Sequence, residues 1–168
     1  MSPLAIAFTG PSESGKTTLI LKLASLLSKQ YKIAIIKHDP HDKAVFDTEG
    51  KDSFKFFQTG AEVVVTSPAR TTLFSNRAKS IDEIIPLFSD FDILLVEGLK
   101  TLPLPRIGVF RDKLDESYFE CCKALAVDES VEQKEYNIPK ELDILDLNDA
   151  KMIASWIFKN AKILERHI

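Results

Sequence analysis

An α/β fold, a mostly parallel sheet flanked by helices, is what this sequence predicts from three observations. The apolar run Leu4–Thr9, a helical pattern from Lys16 to about Lys29 and the run Ile33–Lys37 form one strand–helix–strand unit. Such a unit implies parallel pairing, because a crossover helix returns the chain to the edge from which it started. The runs Ile93-Leu94-Leu95-Val96 and Ile33-Ala34-Ile35-Ile36 are almost continuously apolar, as in strands covered on both faces. Finally, a loop rich in glycine and serine joins the first strand to the first helix.

In the first helix Leu19, Ile20, Leu23, Leu26 and Leu27 recur at three- and four-residue spacing and make one apolar face. After a polar loop comes a short helix near residues 53–59, closed by Gly60 as a left-handed cap. Residues 63–66 and 71–75 are rich in β-formers and flank Ser67-Pro68-Ala69-Arg70, which predicts a β-hairpin inserted at about residues 62–75. Ser80-Ile81-Asp82-Glu83 has capping-box spacing and opens a helix reaching about Phe88. Residues 92–97, 107–110, 124–127 and 143–145 read as four further strands. A last helix begins near Asn148 or Asp149 and packs Met152, Ile153, Trp156 and Ile157. With no repeat or linker-like stretch, a single domain over residues 1–168 is expected.

A chain of 168 residues buries a core without disulfides, and 45% apolar with 28% charged residues is ordinary for a soluble protein. The formal charge of −3 gives no electrostatic case for nucleic acid or an anionic membrane as partner. Cys121 and Cys122 are adjacent, without zinc-site spacing or a disulfide count. They read as inert, half-buried thiols beside a strand in a reducing, cytoplasmic protein. The opening residues have no basic region and Gly10 ends their apolar run early, so neither a signal peptide nor a membrane span is expected.

The sharpest signal is Gly10-Pro11-Ser12-Glu13-Ser14-Gly15-Lys16-Thr17, a complete G-x-x-x-x-G-K-[ST] Walker A motif. It follows a strand and opens a helix, as the motif requires, which makes the expected fold P-loop NTPase-type. Glycines let the backbone form a nest of inward N–H groups, and the helix N-terminus adds positive partial charge. Lys16, expected on an exposed loop, reaches the β- and γ-phosphates, while the Thr17 hydroxyl ligates Mg²⁺. Residues Gly10 to Thr17, with Thr18 beside them, are the expected nucleotide contacts. Glu97 ends a buried strand at the carboxyl edge, where ligands of open α/β sheets sit, and is the expected second metal ligand. Asp92 stands at the opposite end of that strand and is not a site candidate.

Other segments carry weaker signals. The loop Lys37-His38-Asp39-Pro40-His41-Asp42 suits nucleotide or partner contacts, a solvated turn or, less well, zinc. No further cluster completes a four-ligand set, and His167 is far away in sequence. Gly50-Lys51-Asp52-Ser53 mimics a second phosphate loop but lacks the first glycine and a preceding strand, so Asp52 or Ser53 is expected to cap the next helix. Asp112-Lys113-Leu114-Asp115 imitates a guanine-reading N-K-x-D with Asp for Asn, which removes an amide donor. No Gln or Arg flanks the phosphate loop, although the folded protein or a partner could supply one from elsewhere. Arg70, Arg77, Arg106, Arg111 and Arg166 are scattered and form no obvious lid of the kind small kinases use.

Taken together, these segments resemble the MobB family of molybdopterin-guanine dinucleotide biosynthesis adaptor proteins. The likeness covers the phosphate loop, Ile36-Lys37-His38 with His41-Asp42, and Asp47 with Gly50-Lys51-Asp52-Ser53. It continues through Thr59-Gly60-Ala61, Leu94-Leu95-Val96-Glu97-Gly98-Leu99-Lys100, Val109-Phe110-Arg111-Asp112 and Leu145-Asp146-Leu147-Asn148-Asp149. The resemblance implies GTP with Mg²⁺ as ligands and feeble GTPase activity at most. It also implies a homodimer that assists the guanylyltransferase coupling GMP to molybdopterin, and leaves direct molybdopterin binding open. Thr48-Glu49, Leu99 and Val127-Asp128 depart from the family's usual residues, the last at a position that bears on base reading. A small-molecule kinase and a nucleotide-switched metallochaperone remain the rival readings.

Overall fold

A computed structural model describes residues 2–165; Arg166 and His167 lie outside the described residues. In chain order the elements are β1 (Leu4–Thr9), α1 (Lys16–Leu27), β2 (Ile33–Lys37), α2 (Asp52–Gln58), β3 (Val63–Thr66), β4 (Thr71–Phe74) and α3 (Ile81–Ile84). They continue with β5 (Ile93–Glu97), β6 (Arg106–Phe110), β7 (Ala124–Val127), β8 (Asp143–Asp146), α4 (Ala150–Asn160) and β9 (Lys162–Ile163). The chain divides into two compact units, one of Met1–His38 with Asp90–Ile168 and one of Asp39–Ser89.

The first unit carries the main sheet, with strand order β2-β5-β1-β6-β7-β8 and every neighbour in that order parallel. The expected mostly parallel α/β sheet is therefore present. β9, which the sequence did not signal, pairs antiparallel with Leu4 and Ala5. It occupies the stretch of β1 that β6 leaves open, since β6 pairs only with Ala7, Phe8 and Thr9.

Alternation along the strands builds two cores. Ile6, Phe8, Ile107 and Val109 face α1 and α4, which bring Leu19, Leu23, Ile153 and Ile157 to the same cluster. On the other face of β6 and β7, Phe110, Leu125 and Val127 meet Phe119 and Cys122 from the 3-10 turn Glu116–Cys121 and its end. Burial pushes the Cys122 thiol up to about 12, so it stays protonated. α4 starts at an Asp149 cap that accepts from Met152 N at 2.8 Å, and Trp156 Nε1 donates to Asp143 Oδ2 of β8 at 2.7 Å. Leu23 and Ile157 are 0% exposed. Replacing Leu23 by Ala is expected to lower stability by about 2–5 kcal/mol through lost burial and a residual cavity, measured by urea unfolding.

One strand departs from expectation. β2 ends the strand order, and only its beginning is covered on the α1 side: Ile33 packs on the core, whereas Ile35 is 42% exposed. Its apolar run is not that of a strand covered on both faces.

In the second unit the hairpin pairs Val63 with Phe74 through Thr66 with Thr71, closed by Ser67 N donating to Arg70 O at 2.9 Å. The capping box forms: Ser80 Oγ accepts from Glu83 N at 3.3 Å, and Glu83 Oε2 accepts from Ser80 N at 3.0 Å. Beyond Ile84 this helix tightens into a 3-10 turn at Ile85–Leu87, where Pro86 offers no N–H. The cap of α2 differs from the sequence expectation. Lys51 is its N-cap and gives no side-chain bond; the Ser53 hydroxyl donates to Asp47 Oδ1 at 3.1 Å instead. Asp52 lies in the first turn, where its charge suits the helix dipole.

Candidate nucleotide-binding site

The phosphate loop spans the gap between buried Thr9, the last residue of β1, and Lys16, the first of α1. Gly10, Glu13 and Gly15 have φ of 144°, 62° and 96°, which bends the backbone into a nest. A Cβ on Gly10 would stand 2.3 Å from Val109 O, so only glycine fits there. α1 has no side-chain N-cap and no acidic residue in its first turn. Its first N–H groups and positive dipole end therefore have no anionic side chain of their own to satisfy them, as an anion site requires.

Lys16 is half-buried rather than on an exposed loop. Its Nζ donates to Gly10 O at 3.1 Å, to Pro11 O and to Ser14 Oγ at 3.5 Å, so the ammonium closes over the nest. Burial lowers its pKa, with the Glu97 carboxylate opposing and Lys37 adding to that effect.

Sheet register delivers the rest. Phe8 lies opposite Glu97, and Lys37 opposite Glu97 on the other side. Thr17 Oγ1 consequently sits 3.5 Å from Glu97 Oε2, while Lys37 Nζ pairs with Glu97 Oε1 at 3.0 Å. The hydroxyl and the carboxylate, the latter 13% exposed, form a hard-oxygen pair that suits Mg²⁺, an ion held by few protein oxygens and the phosphates themselves. Asp92 accepts from Lys32 N at 2.8 Å at the far end of β5, away from this cluster.

The weaker signals resolve differently. His38 lies on the same edge, with its N–H donating to Glu97 O at 3.0 Å. Asp39 is a turn-former: its carboxylate accepts from His41, Lys43 and Ala44 N–H groups, and the Ala44 bond foremost holds its pKa down. Among the described residues no group of three His, Cys, Asp or Glu gathers where a metal could bind. In the N-K-x-D lookalike, Leu114 is buried and Asp115 is committed to Ser117 N and Oγ. One residue was missed. Arg111, at the end of β6, places Nε 3.3 Å from where a Cβ on Gly15 would stand, so an arginine does flank the phosphate loop in space. Only the β1–β6 register could have signalled it.

Comparison with known proteins shows what this arrangement belongs to. The family model described as molybdopterin guanine dinucleotide synthesis protein B matches residues 5–128. This chain is a member of the MobB family. Within the family it is 34% identical over 160 residues to the molybdopterin-guanine dinucleotide biosynthesis adapter protein of Haemophilus influenzae, covering 90% of this chain and 86% of that one. The Escherichia coli protein of the same name is 32% identical over 167 residues, with 94% and 92% covered. The crystal structure of Bacillus subtilis MobB aligns with a TM-score of 0.73 at 24% identity, covering 95% of this chain and 98% of that one. That likeness speaks for the MobB fold, and the whole phosphate loop with Glu97 and Arg111 falls within the matched stretch.

Proposed function

We propose that this chain is a GTP-binding adaptor that assists attachment of GMP to molybdopterin. The observation that carries the reading is the joining of Thr17 and Glu97 beside a Walker A nest in a MobB-family chain. Gly10, Pro11, Ser12, Glu13, Ser14, Gly15, Lys16, Thr17 and Thr18 hold the phosphates, with Thr17 and Glu97 toward Mg²⁺. When bound, Mg²⁺ neutralises charge on the β- and γ-oxygens. The partner is the guanylyltransferase, the setting is the cytoplasm, and GTP turnover is feeble at most. Among the described residues no helix is long and apolar enough to cross a membrane. The test is a competition between GTP and ATP, with and without the transferase. GTP preference that strengthens with the transferase is expected; ATP preference with phosphate transfer to a small acceptor would favour a kinase.

Glu97→Gln is expected to weaken nucleotide binding more with Mg²⁺ than without it, since it removes a negative charge at the metal. Equal losses under both conditions would make Glu97 a structural strand-end residue.

The functional unit is a homodimer whose interface lies at or beside the hairpin around Ser67–Arg70. Val64 is 59%, Val65 42% and Leu73 40% exposed, more apolar strand surface than a solvated ribbon carries well. Light scattering at micromolar concentration is expected to give a dimer mass, and a monomer mass would refute it.

A further inference from the structure

We propose that Arg111 contacts the bound nucleotide at its α- and β-phosphates, on the side away from the metal. The inference rests on the nucleotide-site reading above. β6 outruns β1: Thr9 lies opposite Gly108, so Val109, Phe110 and Arg111 project beyond the last residue of β1. Arg111 is thereby carried level with the phosphate loop. Its Nε, Cζ and Nη2 lie 3.3, 3.6 and 3.8 Å from the Cβ position of Gly15, the N-cap of α1. A full positive charge thus stands where the helix end already attracts an anion.

The guanidinium is held, yet open. Arg111 Nε pairs with Asp128 Oδ2 at 3.2 Å, and the two side chains are 41% and 13% exposed. Asp128 is fixed in turn by Ser130, whose hydroxyl donates to Oδ1 and accepts from Asp112 N at 2.7 Å. The Ser130 bond also keeps the Asp128 carboxyl below its ordinary range, so it stays ionised beside the arginine. Among the described residues Asp128 is the only ion-pair partner of Arg111. A guanidinium has five N–H donors, so it can take a phosphate without leaving Asp128.

Direction along the nucleotide follows from the sheet. Thr17 bonds toward Glu97 of β5, on one side of β1, whereas Arg111 directly follows β6 on the other. Thr17 and Glu97, which would hold a metal ion carried by the terminal phosphates, would set that end of the nucleotide on the β5 side. The α-phosphate and nucleoside then lie toward β6 and β7. Arg111 is in this geometry a ground-state phosphate contact rather than a group aimed at the γ-phosphate.

Calorimetry with GTP and GDP on wild type, Arg111→Met, Arg111→Lys and Asp128→Asn tests this. Arg111→Met is expected to lower affinity for both nucleotides by the same factor, about tenfold to a hundredfold, the range for a hydrogen bond to a charged group. Arg111→Lys recovers most of the loss, because charge is what acts. Asp128→Asn, which keeps the arginine but loosens it, costs less than Arg111→Met and supplies the reading should Arg111→Met fail to fold. Wild-type affinity in Arg111→Met overturns the assignment, as does wild-type affinity in Asp128→Asn should Arg111→Met not fold. A loss confined to GTP puts Arg111 at the γ-phosphate and also overturns it. Equal behaviour of the Met and Lys variants makes it a packing brace for the loop. Lys16→Ala separates the two levels: if it binds normally the nucleotide site itself is refuted, and if it alone loses binding only the Arg111 assignment falls.

Discussion

Lys16→Ala is expected to remove GTP binding while the protein stays folded. The ammonium has two neutral carbonyl partners and one hydroxyl in the free loop. A triphosphate offers charged oxygens in their place, and each charge-assisted bond is worth about 1.5–3 kcal/mol. Two such bonds correspond to an affinity loss of about a hundredfold to ten-thousandfold. Stability changes little, because Gly10 and Pro11 are only half-buried and their carbonyls can turn to water. Calorimetry on a variant of wild-type melting temperature checks both halves, and retained affinity would refute the site.

Gly10→Ala is expected to damage binding and fold together. A Cβ there meets Val109 O at 2.3 Å, and that carbonyl belongs to β6, where Val109 is locked opposite Ala126 of β7. Neither partner can move cheaply. The φ of 144° is also one that residues with a Cβ avoid. A cost of about 2–4 kcal/mol follows from overpacking and backbone strain, with a fall in melting temperature of roughly 5–15 °C. Thermal denaturation compared with Lys16→Ala distinguishes the two mechanisms. A Gly10→Ala protein as stable as wild type would contradict the loop geometry described.

What was legible in the sequence was local. The nest needs glycines at fixed spacing, the capping box needs Ser80 and Glu83 three apart, and the hairpin needs two β-rich runs around a turn. Each was readable within a few residues, and each is in the fold. Glu97 was readable because a carboxylate after a buried run falls at the carboxyl edge of a parallel sheet, and register then sets it near Thr17. What depends on pairing distant strands was not readable. Arg111 reaches Gly15 only because β6 is shifted along β1, and β9 forms only because that shift leaves Leu4 and Ala5 open. The exposed Ile35 has the same cause, since an apolar run does not announce that its strand ends the sheet. The missed α2 cap is a matter of where the helix starts: Lys51 holds the cap position, so Ser53 lies inside the first turn, where its hydroxyl donates to Asp47.

The weak turnover proposed for this chain has a structural correlate. Fast hydrolysis requires a cation at the γ-phosphate, often an arginine worth about 10³–10⁵ in rate. Arg111 is beside the loop but on the β6 side, paired with Asp128, and not at the Thr17–Glu97 end. The measurement that reaches the central proposal most directly is a reconstitution of purified chain, guanylyltransferase, molybdopterin and limiting GTP, with guanine-dinucleotide cofactor as the readout. Addition of the wild-type chain is expected to raise cofactor yield, Lys16→Ala to leave it at the level of transferase alone, and GTP consumed without cofactor to stay small. Unchanged yield across a range of protein ratios, or rapid GTP loss uncoupled from cofactor, would contradict the adaptor role.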